Sequence, residues 1–139
     1  MNYYEFVKGC FLTEADANYN LMRMGLELAE EYLEWQNNPS IAEQGDICFW
    51  LILLNPELEP LQTDISSEVL MAEILGKIKR KYRDGASLDG IKELACQLLY
   101  AIQQESPICY TMQKIQDANM AKLQKRLIKG TIQGKGDNR

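Results

Sequence analysis

The sequence predicts an all-α protein, a helical bundle made of two repeated antiparallel hairpins and a C-terminal helix. Three observations carry that expectation. Proline and glycine are sparse, four and nine among 139 residues. No stretch alternates apolar and polar residues long enough for a sheet, whereas apolar side chains recur at helical spacing. Finally, one stretch repeats another at constant offset: Ile41-Ala42-Glu43-Gln44-Gly45-Asp46 matches Ile91-Lys92-Glu93-Leu94-Ala95-Cys96, and the match runs on through Trp50 with Tyr100 and Ile52 with Ile102.

In chain order, helices are expected at about 2–12, 18–36, 41–54, 66–82, 88–104 and 107–128, with a glycine-rich tail after Lys129. The breaks fall at Asn37-Asn38-Pro39, Asn55-Pro56, Arg83-Asp84-Gly85 and Ser106-Pro107, residues that stop helices or start turns. Helix 18–36 carries two apolar stripes, Met22, Leu26, Ala29 and Leu33 on one side and Leu21, Met24, Leu28 and Trp35 on the other. Helix 41–54 becomes apolar all round from Ile47 to Leu54, the mark of a buried helix. Helices 18–54 form the first hairpin and 66–104 the second, with Leu28-Ala29-Glu30 matching Met71-Ala72-Glu73. A C-terminal helix and basic tail fill 107–139, and the whole of 1–139 reads as one domain. Short connections imply antiparallel neighbours.

Composition narrows the chemistry. Hydrophobic residues make up 46% and charged residues 25%, as in ordinary globular proteins. The longest apolar run, Ile47 to Leu54, is too short to span a bilayer, and the start shows no signal-peptide pattern. Cys10, Cys48, Cys96 and Cys109 are far apart and read as small core residues in a reducing, cytoplasmic setting. A formal charge of −5 argues against nucleic acid or an anionic membrane as partner. The charge is uneven, since seven basic residues face two acidic ones from Lys114 onward. There is no histidine, which removes the usual proton-transfer group and Cys/His zinc sites. Catalysis would rest on carboxylates, lysines, a metal or its bound water.

The acids have an informative register. Glu27, Glu30, Glu31 and Glu34 fill one sector of helix 18–36 between its stripes. Glu34 and Glu31 lie three and six residues before Asn37, and Glu43 and Asp46 lie three and six residues after Ser40. In an antiparallel hairpin Glu34 is then level with Glu43, and Glu31 with Asp46, the two levels about 4.5 Å apart. Four ionised carboxylates converging there repel, at roughly 2.8 kcal/mol per pair 6 Å apart in an effective dielectric near 20. A divalent cation relieves that cost, and an all-oxygen site suits Mg²⁺ or Mn²⁺. Two plainer readings use the same residues: acid-rich helices are commonly solvated faces, and Ser40-Ile41-Ala42-Glu43 also fits a capping box. Tyr32 and Trp50 suit stacking on a base, yet at helical spacing they also suit the core.

The run Gly25-Leu26-Glu27-Leu28-Ala29-Glu30-Glu31-Tyr32-Leu33-Glu34 followed by Glu43-Gln44-Gly45-Asp46 resembles the signature of the MazG-type all-α nucleoside triphosphate pyrophosphohydrolases: Glu-Glu-x-x-Glu, a gap, then Glu-x-x-Asp. The stretch Asn119-Met120-Ala121-Lys122-Leu123-Gln124-Lys125-Arg126, and the end Gly134-Lys135-Gly136-Asp137-Asn138-Arg139, are similar to the family's terminal segment. The resemblance implies Mg²⁺-dependent hydrolysis of a nucleoside triphosphate to monophosphate and pyrophosphate. It implies that Glu31, Glu34, Glu43 and Asp46 hold the metal, that Glu30 is a neighbour, and that Asn119 and Lys122 face the substrate phosphates. Two departures stand out: the gap from Glu34 to Glu43 is shorter than usual, and the second hairpin carries Ile74, Lys77 and Cys96 where the first has Glu31, Glu34 and Asp46.

On that expectation Glu30 or Glu34 orients the attacking water, while Lys122, Lys125, Arg126 and Arg139 offset triphosphate charge. The basic tail equally suits a solvated terminus. A homodimer is expected, because helix 18–36 is apolar on two sides. The rival expectations are a helical dimerisation module with surface acids and a protein that binds nucleotide without turnover.

Overall fold

The structure, a computed structural model, describes residues 2–11 and 13–130. Among these it is all-helical, with α1 (Tyr3–Cys10), α2 (Ala17–Asn37), α3 (Ile41–Leu54), α4 (Ser67–Asp84), α5 (Ile91–Glu105) and α6 (Met112–Lys129). Five of the six begin on a side-chain cap: Asn2, Asp16, Ser40, Ser66 and Thr111 each accept a first-turn N–H, which satisfies a donor that has no partner inside the helix. At the other end, Gly85 and Gly130 adopt left-handed backbone (φ 70° at both) and return their N–H to the last-turn carbonyls.

Two starts differ from expectation. Helix α5 begins at Ile91, not near 88, because Gly90 at φ 89° closes a turn before the helix. Helix α6 begins at Met112 and not near 107, because Thr111 Oγ1 takes the Lys114 N–H and sets the helix start there. The connection 55–66 is also longer than a tight hairpin turn. It is tied down: Asn55 Nδ2 donates to the Lys92 carbonyl at 3.2 Å and the Cys96 sulfur at 3.1 Å, Leu61 N–H donates to the Cys96 carbonyl at 3.1 Å, and Leu58 is buried.

Helix α3 is the hub, packed by α1, α2, α5 and α6, while α4 packs on α2 and α5. Its uniformly apolar second half explains the position, since Ile47, Cys48 and Leu51 have no exposed surface at all. Around it Val7, Leu28, Leu70, Ile74, Leu98, Ile102 and Ile115 are likewise fully buried. Tyr32 and Trp50 belong to this core. The Tyr32 hydroxyl pairs with Ser67 Oγ at 2.7 Å, and Trp50 meets Phe11 and Phe49 edge-on, with ring centres 5.5 and 4.8 Å away. None of the four cysteines is in a disulfide; Cys10, Cys48 and Cys96 are buried, but Cys109 is exposed, contrary to its reading as a core residue. It lies in the irregular segment before α6, outside the helical pattern on which that reading rested. Of the two stripes on α2, Leu28 and Trp35 are buried, whereas Leu26 and Leu33 keep 66% and 57% of their surface exposed. No described helix is long and apolar enough to cross a membrane.

Candidate metal centre

The site begins with two short spacings. Glu31 and Glu34 stand one turn apart on α2, and Glu43 and Asp46 one turn apart in the first half of α3. Folding α2 against α3 brings one carboxylate oxygen from each to within 4.8 Å of the other three. Glu31 and Asp46, and Glu34 and Glu43, face each other across the hairpin within that group. Glu31 and Asp46 are buried, each 8% exposed, and Glu34 and Glu43 are half-buried. Among the described residues this is the one group of acids or cysteines of a kind that could hold a metal ion.

Its electrostatics are those of crowded acids out of water. Burial, and then the charges of Asp46, Glu34 and Glu43, push the Glu31 carboxyl from 4.5 up to about 9. Burial first, and then Asp46, also raise Glu43, against the lowering pull of Lys122. One oxygen of each, Glu31 Oε2 and Glu43 Oε2, is buried with no hydrogen-bond partner. A capping box would have used Glu43 on the Ser40 N–H. Instead Ser40 Oγ accepts from Glu43 N at 3.3 Å, while the Ser40 N–H goes to the Asn38 carbonyl at 2.7 Å. The Glu43 carboxylate therefore stays with the acid group.

Helix α6 closes the other side. Lys122 Nζ donates to both oxygens of Asp46, at 3.0 and 2.7 Å, and Asn119 Nδ2 donates to Asp46 Oδ1 at 3.3 Å. Asn119 is 1% exposed and takes a 2.7 Å hydrogen bond on its Oδ1 from the Tyr3 hydroxyl. That phenol is held neutral by burial, reinforced by neighbouring Cys48 and Asp46. Asp46 is thus fastened to α6 and, through Asn119, to α1.

The donor set fits a hard divalent cation. Opposite ligands on Mg²⁺ stand about 4.2 Å apart, and on Ca²⁺ about 4.6–5.2 Å, and the four oxygens lie within 4.8 Å of one another. Glu31 Oε2 and Glu43 Oε2 lack a hydrogen-bond donor, and a cation would satisfy them.

The remaining candidates divide. Glu30 is exposed and outside the four-acid group, Lys125 is exposed, and Arg126 is half-buried on α6. Arg139, with Gly134 and Gly136, lies outside the described residues. In the second pair of helices, Ile74 is fully buried, Cys96 is buried against Asn55, and Lys77 is half-buried near Gly90. Sequence reasoning missed Tyr3 and Gly45. Nothing in the first few residues marks Tyr3. Gly45 carried a signal, an isolated glycine inside a helix, which marks a close approach.

No family model, curated protein or solved structure matches the chain. The fold and site define a class by themselves: a protein all-helical over its described residues, with a partly buried group of four carboxylates that could hold a metal ion.

Proposed function

We propose that the protein is a Mg²⁺-dependent nucleoside triphosphate pyrophosphohydrolase of the MazG type, releasing nucleoside monophosphate and pyrophosphate. One observation carries the reading: two partnerless buried oxygens, Glu31 Oε2 and Glu43 Oε2, within a group of four carboxylates. Surface acids do not give up hydration without compensation. The ligands are Glu31, Glu34, Glu43 and Asp46, with Mn²⁺ an alternative ion. The bound ion supplies charge neutralisation at the phosphate oxygens. Glu34, or Glu30 at the exposed edge, orients the attacking water. Asn119 steadies Asp46 from α6, and Lys122, Lys125 and Arg126 supply positive charge on the same helix. The reading places the enzyme in the cytoplasm, in nucleotide-pool maintenance, without nucleic acid as partner.

Two further parts belong to it. The hairpins arose by duplication and the second lost its acids, a reading supported by shared burial at Leu28 and Met71, Glu31 and Ile74, Trp35 and Ile78, and Asp46 and Cys96. The chain forms a homodimer through the exposed stripe of Leu26 and Leu33. The alternative, a non-catalytic nucleotide-binding or dimerisation module, keeps the fold without turnover.

The deciding experiment incubates the protein with Mg²⁺ and a panel of ribo- and deoxyribonucleoside triphosphates and assays monophosphate and pyrophosphate. Formation of both, abolished by chelation, supports the enzyme. Nucleotide binding without products selects the alternative.

A further inference from the structure

The Lys122 ammonium lies on both oxygens of Asp46, at 3.0 and 2.7 Å, with the two side chains 24% and 10% exposed. Asp46 Oδ1 also takes the Asn119 amide, at 3.3 Å. The lone pairs of Asp46 are therefore heavily engaged, while Glu31 and Glu43 each keep a buried oxygen without a partner. The acid group holds more acceptors than this one ammonium serves.

A cation bound by Asp46 must share those oxygens. With a metal–oxygen distance near 2.1 Å and the present nitrogen–oxygen distances, the two positive centres would stand about 4–5 Å apart. A +2 and a +1 charge repel at that separation, and partial burial limits the relief from solvent. Lysine is suited to leave, because its ammonium is a point charge on a flexible stem and not a rigid two-pronged clamp.

We propose that Lys122 is a built-in competitor of the metal: it holds Asp46 in the metal-free protein, is displaced when the divalent cation binds, and then presents its ammonium to the triphosphate. The inference rests on the metal-centre reading above. It makes metal binding and the arming of the phosphate-binding cation a single event. No covalent bond of Lys122 or Asp46 changes in the exchange; the ammonium's hydrogen bonds to Asp46 give way to the cation. It also has a reciprocal signature that a purely structural lysine would not give: removing Lys122 strengthens metal binding and weakens polyphosphate binding.

The test is calorimetric titration of the wild type, Lys122→Met and Asp46→Asn with MgCl₂ or MnCl₂ alone, followed by inorganic pyrophosphate added to the metal-saturated protein. Lys122→Met should bind the metal roughly tenfold more tightly and pyrophosphate more weakly than the wild type. If that variant folds poorly, Lys122→Gln replaces it. In the wild type, the Lys122 side-chain methylene resonance should move when Mg²⁺ is added, with no pyrophosphate present. Metal affinity that is unchanged or weaker in the Lys122 variant overturns the competition. If Asp46→Asn abolishes metal binding while Lys122→Met leaves it unchanged, the competition fails and the metal centre stands. A wild type that binds neither ion overturns both.

Discussion

Gly45 on α3 and Asn119 on α6 approach so closely that a methyl group at Gly45 would stand 3.0 Å from Asn119 Cβ and 3.4 Å from the Ile115 carbonyl oxygen. The missing side chain lets α6 come near enough for Asn119 to reach Asp46. Gly45→Ala removes a poor helix former, a gain of about 1 kcal/mol. It also forces a Cβ-to-Cβ clash and crowds a backbone oxygen, neither of which is the free end of a flexible side chain. The clash should win, for a net loss of about 1–3 kcal/mol, with weaker metal binding. Denaturant melts and metal titrations check it; a variant more stable than the wild type would show that α6 slides away without cost.

The four acids should separate activity from stability. Glu31→Gln should reduce triphosphate hydrolysis by orders of magnitude. At neutral pH it replaces a carboxyl that burial keeps protonated, so the metal-free protein should lose little stability. Asp46→Asn should be as inactive but less stable, because the Lys122–Asp46 ion pair is lost. Mg²⁺ should raise the melting temperature of the wild type more than that of either variant. Substitutions at Lys77 or Cys96 should leave turnover nearly intact. Wild-type activity in Asp46→Asn would sink the site.

Glu31 also sets a pH dependence. Its folded-state carboxyl is raised from 4.5 to about 9, so the folded protein binds the proton more tightly than the unfolded chain. Its contribution to metal-free stability is full below about 4.5 and is lost as pH rises through about 9. Metal binding must expel that proton, so Mg²⁺ affinity should increase with pH across the same window. Melts with and without Mg²⁺ between pH 5 and 9 should diverge as pH rises. Parallel curves would place the proton elsewhere.

Gln44 offers a test away from the chemistry. It is 1% exposed, and neither its Oε1 nor its Nε2 has a hydrogen-bond partner. A buried unpaired amide costs about 1–3 kcal/mol. Gln44→Met keeps the length and removes the polar atoms, so it should stabilise the protein by a similar amount. Urea midpoints compare the two. A destabilised variant would mean that an ordered water satisfies the amide.

The proposed dimer would use the exposed stripe of Leu26 and Leu33 on α2. Leu26→Glu with Leu33→Glu should turn a sedimenting dimer into a monomer with unchanged far-ultraviolet circular dichroism. A wild type that sediments as a monomer at tens of micromolar would remove the dimer.

Much of the acid group was legible because it is local. Helical period and the length of the Asn37–Ser40 turn are both short-range properties, and together they set Glu31 against Asp46 and Glu34 against Glu43. What closes the group was not legible in the same way. Tyr3 reaches Asn119 across 116 positions, and Lys122 reaches Asp46 across 76; no periodicity spans such distances. The tail resemblance flagged Asn119 and Lys122 as phosphate-facing, yet in this structure both are engaged by Asp46. The misplaced starts of α5 and α6 share one cause. Apolar spacing runs on into the preceding turn, and the boundary is set by Gly90 and Thr111, single residues whose backbone and hydroxyl decide it.

The reach from Asp46 to Lys122 spans 76 positions, and it imposes an order on the birth of the protein. A ribosome adds those residues in roughly 4–15 s. Throughout that interval the nascent chain carries its acids without the lysine that will answer them. α6 is therefore the helix that brings an ammonium to Asp46, and a transcript truncated before it would release a chain whose Asp46 never meets that cation.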